Sequence, residues 1–107
     1  MPQQHVVDII KELNRLLRAK YPDFKGSYLY GSRTRDDYRP DSDIDIVAVF
    51  ESIDRDKGFE TYGIVADLDY KYDVFISLFP YTLEKLSKNP VYYSEVVEKG
   101  IFYEAAA

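Results

Sequence analysis

Apolar residues recur at Val6, Ile9, Ile10, Leu13, Leu16 and Leu17, separated by charged and polar positions. This i, i+3/i+4 stripe predicts an amphipathic helix from His5 to Ala19, stopped near Pro22. The period then changes. Asp43 to Phe50 (DIDIVAVF) is β-branched and apolar, which predicts a buried central strand. Tyr72 to Phe79 (YDVFISLF) predicts a second strand, and Ser27 to Tyr30 a short one that runs into Gly31. Phe59 to Leu68 fits a helix with Phe59, Tyr62, Val65 and Ala66 on its buried side, although Gly63 works against it. Pro80-Tyr81-Thr82 leads to a short helix at Leu83 to Leu86. After Pro90, Val91 to Glu98 predicts another, with Gly100 as its C-cap. Arg33 to Ser42, polar and containing Pro40, reads as a surface turn or short helix, and Ser52 to Gly58 as a charged connection. Helices and strands intermixed in this order predict a mixed α+β (α/β) fold.

The 107 residues are the size of one domain, expected over 1–104, with Ala105-Ala106-Ala107 as an appended tail. With 46% hydrophobic and 31% charged residues, the composition is that of a globular protein. No apolar run approaches the ~18 residues of a membrane span, the N-terminus lacks a signal-peptide pattern, and Cys is absent. A disulfide framework and a thiolate metal site are thereby excluded, and a cytoplasmic location is expected. Nineteen acidic against 14 basic residues give a net charge of −5, which argues against extended nucleic-acid binding. A metal-neutralised triphosphate stays open, because the ions bring their own positive charge.

The candidate chemistry is concentrated in Gly31-Ser32, a ten-residue spacer, and Asp43-Ile44-Asp45. Residues two apart on a strand point to one side, so Asp43 and Asp45 project together while Ile44 and Ile46 are buried opposite. Carboxylates leaving so apolar a strand call for compensation. Mg²⁺ supplies it, taking one or two carboxylates together with phosphate oxygens. If the two strands are neighbours, Asp73 can complete a three-carboxylate set for two ions about 3.5–4 Å apart; Asp67 and Asp69 compete for that place. Gly31 lets backbone approach a phosphate, and helix-start amides with the Ser32 hydroxyl make an anion site. Arg33 and Arg35 can pair phosphate oxygens, Arg35 being the stronger candidate, or form surface ion pairs with Asp36, Asp37 and Asp41.

Plainer roles exist for these residues. Asp43 can cap the strand entry beside Pro40-Asp41-Ser42, and Asp73 can be an edge residue. An EF-hand is ruled out, because Ile46 stands where its Gly belongs and Ser52 where its bidentate Glu belongs. His5, the single histidine, is expected to be exposed and inert, which leaves no Ser-His-Asp or metal–histidine set.

GSRTRDDYRPDSDIDI, followed by the YDVFI strand, resembles the minimal nucleotidyltransferase domains of the DNA polymerase β superfamily, and is close to the MntA-type antitoxins among them. Their signature, Gly-Ser, ten residues, Asp-x-Asp, is met without a gap. The likeness extends over nearly the whole chain, with NPVYYSEVVEKGIFYE as the C-terminal helix and final apolar segment. Thr34 and Asp36 stand where the family commonly has Ala and Gly, while Arg35 is kept. The resemblance implies a nucleotidyltransferase fold, a small mixed β-sheet flanked by helices. It implies that Asp43 and Asp45 hold two Mg²⁺ ions, and that Asp73 binds one of them and draws the acceptor's proton. Gly31 and Ser32 would hold the triphosphate, with Arg35 as a further contact. It also implies transfer of AMP from ATP to a Tyr of a HEPN-type ribonuclease toxin, the chain acting as its antitoxin.

Three other functions compete. A contact-only antitoxin suits the eleven Tyr, although strand and helix packing accounts for those as well. A transferase for a small hydroxylated molecule would need a companion subunit to build its acceptor pocket. Modification of nucleic-acid ends is disfavoured by the negative charge.

Overall fold

The predicted stripe is the buried side of helix α1 (Gln4–Lys20): Val6, Ile9, Ile10, Leu13 and Leu17 are each at most 1% exposed. The structure, a computed structural model, describes residues 1–36, 39 and 41–105; Asp37, Tyr38 and Pro40 of the predicted surface turn and Ala106-Ala107 of the predicted tail lie outside them. Four strands follow α1: β1 (Phe24–Tyr30), β2 (Ile44–Phe50), β3 (Ile76–Tyr81) and β4 (Ile101–Glu104). They form one sheet in the order β3-β2-β1-β4, with β2 and β3 parallel and the other pairs antiparallel. A parallel pair needs a long crossover, which helix α2 (Arg55–Tyr72) supplies.

β1 starts three residues before its predicted position because Phe24 is buried and packs on Phe50, ring centroids 5.3 Å apart. α2 is also longer than predicted. The Asp54 side chain accepts the Lys57 N–H at 2.8 Å, an N-cap that starts the helix inside the charged connection. Of its predicted buried side only Val65 is buried. Thr61, Val65 and Leu68 point inward, whereas Phe59 is 66% and Tyr62 51% exposed, and Ala66 is exposed. Thr61 tolerates burial because its hydroxyl donates to the Gly58 carbonyl at 2.9 Å, so a polar residue hides a face that apolar counting assigned elsewhere.

The predicted Tyr72–Phe79 strand is displaced. Tyr72 is the last residue of α2, Asp73 caps that helix in the left-handed region (φ 52°), and β3 begins only at Ile76. Asp69 enforces the switch: its Oδ1 accepts the Ile76 N–H at 2.8 Å, while its carbonyl accepts from Val74. After β3 come the short helices α3 (Leu83–Ser87) and α4 (Pro90–Tyr93), a wide helical turn over Ser94–Glu98, and β4. Gly100 follows that turn because a Cβ there would fall 2.1 Å from the Val96 carbonyl oxygen and 2.8 Å from that of Leu29. Ala105, read as the start of a tail, donates its N–H to Lys25 and extends the β1–β4 pairing.

The sheet has two unlike faces. Against α1 and α2 lie Leu29, Ile44, Ile46, Ala48, Phe50, Ile76 and Leu78, in one aliphatic core with the α1 stripe. Ser27 is buried in that layer too, donating to Asn14 Oδ1 at 2.6 Å, and Asn14 in turn reaches the Tyr103 carbonyl at 2.9 Å. On the other face Val47 and Val49 cluster with the buried Leu86 and Val96, with Tyr28, Tyr30, Tyr81, Tyr92, Tyr93 and Val97 packed around them. Among the described residues, no helix is long and apolar enough to cross a membrane.

Candidate active site

Period-two alternation along β2 sends Ile44 and Ile46 into the helix-covered core and leaves Asp45 on the tyrosine face, with Asp43 just ahead of the strand. Asp43 is exposed and Asp45 half-buried. Across the sheet Asp45 pairs with Tyr30 of β1 on one side and Ser77 of β3 on the other. Burial, and then the charge of Asp43, push the Asp45 carboxyl above the usual carboxylate range. Two like charges converging on a partly desolvated spot are what a divalent cation relieves, and both donors are hard oxygens. The residues present fit such an ion.

β1 delivers the chain to Gly31, where φ is +76° and a Cβ would lie 2.6 Å from Asp45 Oδ2. The carboxylate therefore occupies the space that any side chain would need. Glycine is required there twice, by backbone conformation and by this approach. Gly31–Thr34 forms a single tight helical turn, closed by the Thr34 hydroxyl donating to the Gly31 carbonyl at 2.8 Å. A groove of about 360 Å³ opens beside it, lined by Gly31, Ser32, Thr34, Arg35, Glu95 and Lys99. Lys99, which sequence reasoning did not single out, reaches this groove because β4 pairs with β1, and its Nζ holds Glu95 at 2.8 Å. That hydrogen bond, with the Glu95 charge, raises the lysine's pKa.

The two arginines part ways. Arg35 is exposed on the groove, as expected of a phosphate contact. Arg33 is only 1% exposed, so it is not the surface cation expected, although its charge adds to that of Arg39 in lowering the Asp41 pKa. It donates to the Ser42 carbonyl at 2.6 Å and lies 3.2 Å from His5 Nε2. His5 is exposed, as expected, and its contact with Arg33 ties the start of α1 to the loop that carries Ser32. Asp41 is held in a two-pronged contact by Arg39, at 3.1 and 2.8 Å, which lowers its pKa.

Asp73 does not join Asp43 and Asp45 as the predicted strand would have it. It is an exposed helix cap, and the β3 residue in register with Asp45 is Ser77. Of its rivals, Asp67 is exposed on α2 and Asp69 is engaged with the Ile76 N–H. Among the described residues, no set of three His, Cys, Asp or Glu side chains converges as a metal site. A second concavity, about 560 Å³, lies at the far end of β1 around Phe24, Lys25 and Glu51. There Lys25 pairs with Glu51 and Asp23 with Lys57, and we assign the chemistry to the carboxylate end instead.

The Gly31 turn with the Asp45 carboxylate against it, and Asp43 just ahead of the same strand, thus stand together at one end of the sheet. The chain belongs to the nucleotidyltransferase domain family, which matches residues 10–103; this family works on nucleotides with divalent metal. Among solved structures it is similar to a chain of the toxin–antitoxin complex MntA–HepT: 25% identity, TM-score 0.59, covering 94% of this chain and 70% of that one. A mutant of that complex gives 25% identity and a TM-score of 0.57, over 85% and 67% of the two chains. The complex of tri-AMPylated Shewanella oneidensis HEPN toxin with MNT antitoxin gives 24%, a TM-score of 0.53, and 86% and 70%. At that identity the last shows the fold alone. No curated protein matches the chain.

Proposed function

We propose that the chain transfers AMP from ATP to a hydroxyl of a partner protein, a HEPN-type ribonuclease toxin, and so acts as its antitoxin. The observation that carries this reading is the Asp45 carboxylate seated over Gly31 beside Ser32, with Asp43 next to it. A toxin–antitoxin complex among its structural neighbours, at 25% identity, supports a toxin as the acceptor. Absence of Cys suits a cytoplasmic enzyme, and we take residues 1–104 as its single domain.

Asp43 and Asp45 would hold Mg²⁺, two ions in all, which when bound would supply positive charge for the triphosphate and for the leaving pyrophosphate. The Gly31–Thr34 turn and the Ser32 hydroxyl seat the terminal phosphates, and Arg35 with Lys99 offers them positive charge across the groove. A bond forms between the acceptor oxygen and the α-phosphorus as the bond to the β-phosphate bridging oxygen breaks. Pyrophosphate leaves and the acceptor proton passes to solvent. Asp73 serves as the α2 cap in this scheme, not as a metal ligand or base.

Label from α-labelled ATP with Mg²⁺ is expected in the partner protein with the wild-type chain and not with Asp43→Asn. The exposed aromatics Phe59, Tyr62, Phe75 and Phe79 favour a second reading, neutralisation by contact alone. If folded wild-type chain leaves the partner unlabelled, and Asp43→Asn still neutralises it at full strength, that second reading replaces the first.

A further inference from the structure

On the tyrosine face, β2 presents Asp45, Val47 and Val49, and β3 presents in register Ser77, Phe79 and Tyr81. Moving along the sheet from the carboxylate, polar chemistry thus gives way at once to aromatic surface. There a pocket of about 340 Å³ is lined by Tyr30, Phe79, Tyr81, Asn89 and Tyr92, within the range of about 300–1,000 Å³ typical of small-molecule sites. Its wall is fixed. Tyr30 and Tyr92 share a hydrogen bond of 2.8 Å between hydroxyls and meet edge to face at 5.7 Å, and Tyr81 packs on Tyr92 at 5.6 Å. Tyr30 is the cross-strand partner of Asp45, so the wall begins where the carboxylates end. Asn89 Oδ1 accepts the Tyr92 N–H at 3.1 Å, which orients the amide and leaves its NH₂ group as a donor.

We infer that this pocket seats the nucleobase of the nucleoside triphosphate and so sets which nucleotide is transferred; the inference rests on the nucleotidyltransferase reading above. With the terminal phosphates in the Gly31–Ser32 groove and the α-phosphate at Asp45, the nucleoside extends away from that groove. The aromatic pocket adjoins Asp45 on that open side. Flat bases stack on aromatic faces, and the Asn89 amide matches the hydrogen-bonding edge of a base. A phenolic acceptor fits less well: its single hydroxyl must reach the α-phosphate, which leaves Asn89 unmatched.

The test is titration calorimetry of the chain with Mg·ATP and with Mg·tripolyphosphate, which lacks base and sugar. Phe79→Leu and Tyr81→Leu remove one ring each and keep apolar volume; Phe79 is 46% exposed, so its change spares the core. Each is expected to raise the ATP Kd about tenfold with tripolyphosphate unchanged, and Tyr81→Phe to bind ATP as the wild type does. Unchanged ATP binding in both leucine variants, with a raised KM for the acceptor protein, would overturn the inference and make this the acceptor's seat. Equal weakening of both ligands would also overturn it, because the base would then contribute nothing of its own. Wild-type chain that binds neither ligand would defeat the nucleotidyltransferase reading itself.

Discussion

Toward α1 and α2 the sheet offers Leu29, Ile44, Ile46, Ala48, Ile76 and Leu78, each at most 4% exposed. Toward the other side the same strands offer Asp45, Ser77, Phe79 and Tyr30, under the thin cover of α3, α4 and the turn that follows. One residue of register separates the two sets. β2 is where this matters most, since its even-numbered residues Ile44 and Ile46 anchor the core while Asp45, and Asp43 just ahead of the strand, are the residues to which we assign the chemistry. On that assignment stability and reactivity fall on opposite surfaces of a single strand, and substitutions on the two sides should have separable consequences.

The largest effect is expected on the open face. Asp45→Asn or Asp43→Asn should lower adenylyl transfer by about a hundredfold or more, read by labelled AMP incorporation, with the fold intact by circular dichroism. On the closed face, Ile46→Ala should lower unfolding free energy by about 2–5 kcal/mol in urea titrations and leave the rate per folded molecule unchanged. A rate loss equal to that of Asp45→Asn would break the separation.

Asp45 also makes the open face a site of stored cost. Its carboxyl is raised by burial and by Asp43, so between the unfolded value near 3.9 and the higher folded value, the native state holds more proton than the unfolded chain. Stability contributed by this group therefore falls as pH rises through that window. Asp45→Asn should melt higher than wild type at pH 7 without metal, and the gap should close below about pH 3.9. Mg²⁺ should raise the wild-type Tm and narrow that gap, and chelation should restore it.

Ser77 sharpens the comparison at its seam. Ser77→Asp would set a third carboxylate opposite Asp45, so it should lower Tm in chelator and enlarge the Tm gain on adding Mg²⁺. The smallest effect is predicted for Asp73→Asn, a change at an exposed left-handed cap. Asn tolerates that conformation, so transfer should change by less than about threefold and stability by less than about 0.5 kcal/mol.

The parts legible in sequence were those set by local period or by a short motif. The α1 stripe, the apolar β2 run and the Gly-Ser…Asp-x-Asp spacing each carry their own pattern, and each stands where it was expected. The α2–β3 junction did not: no Gly or Pro marks it, and the helix is ended by the Asp69 side chain and a left-handed aspartate. The apolar pattern therefore carries Asp73 into a strand that it precedes. Arg33 looked like a surface cation because its partners, the Ser42 carbonyl and His5, are distant in sequence or belong to backbone. Lys99 becomes visible only once β4 is paired with β1.

The most direct test of the central claim is the intact mass of the partner toxin after incubation with Mg·ATP and wild-type, Asp45→Asn or Asp73→Asn chain. Added AMP is predicted with wild type and Asp73→Asn, and none with Asp45→Asn. Adenylylation that survives Asp45→Asn, or that is lost with Asp73→Asn while the fold is intact, would contradict a reaction centre built on Asp43 and Asp45 over the Gly31 turn.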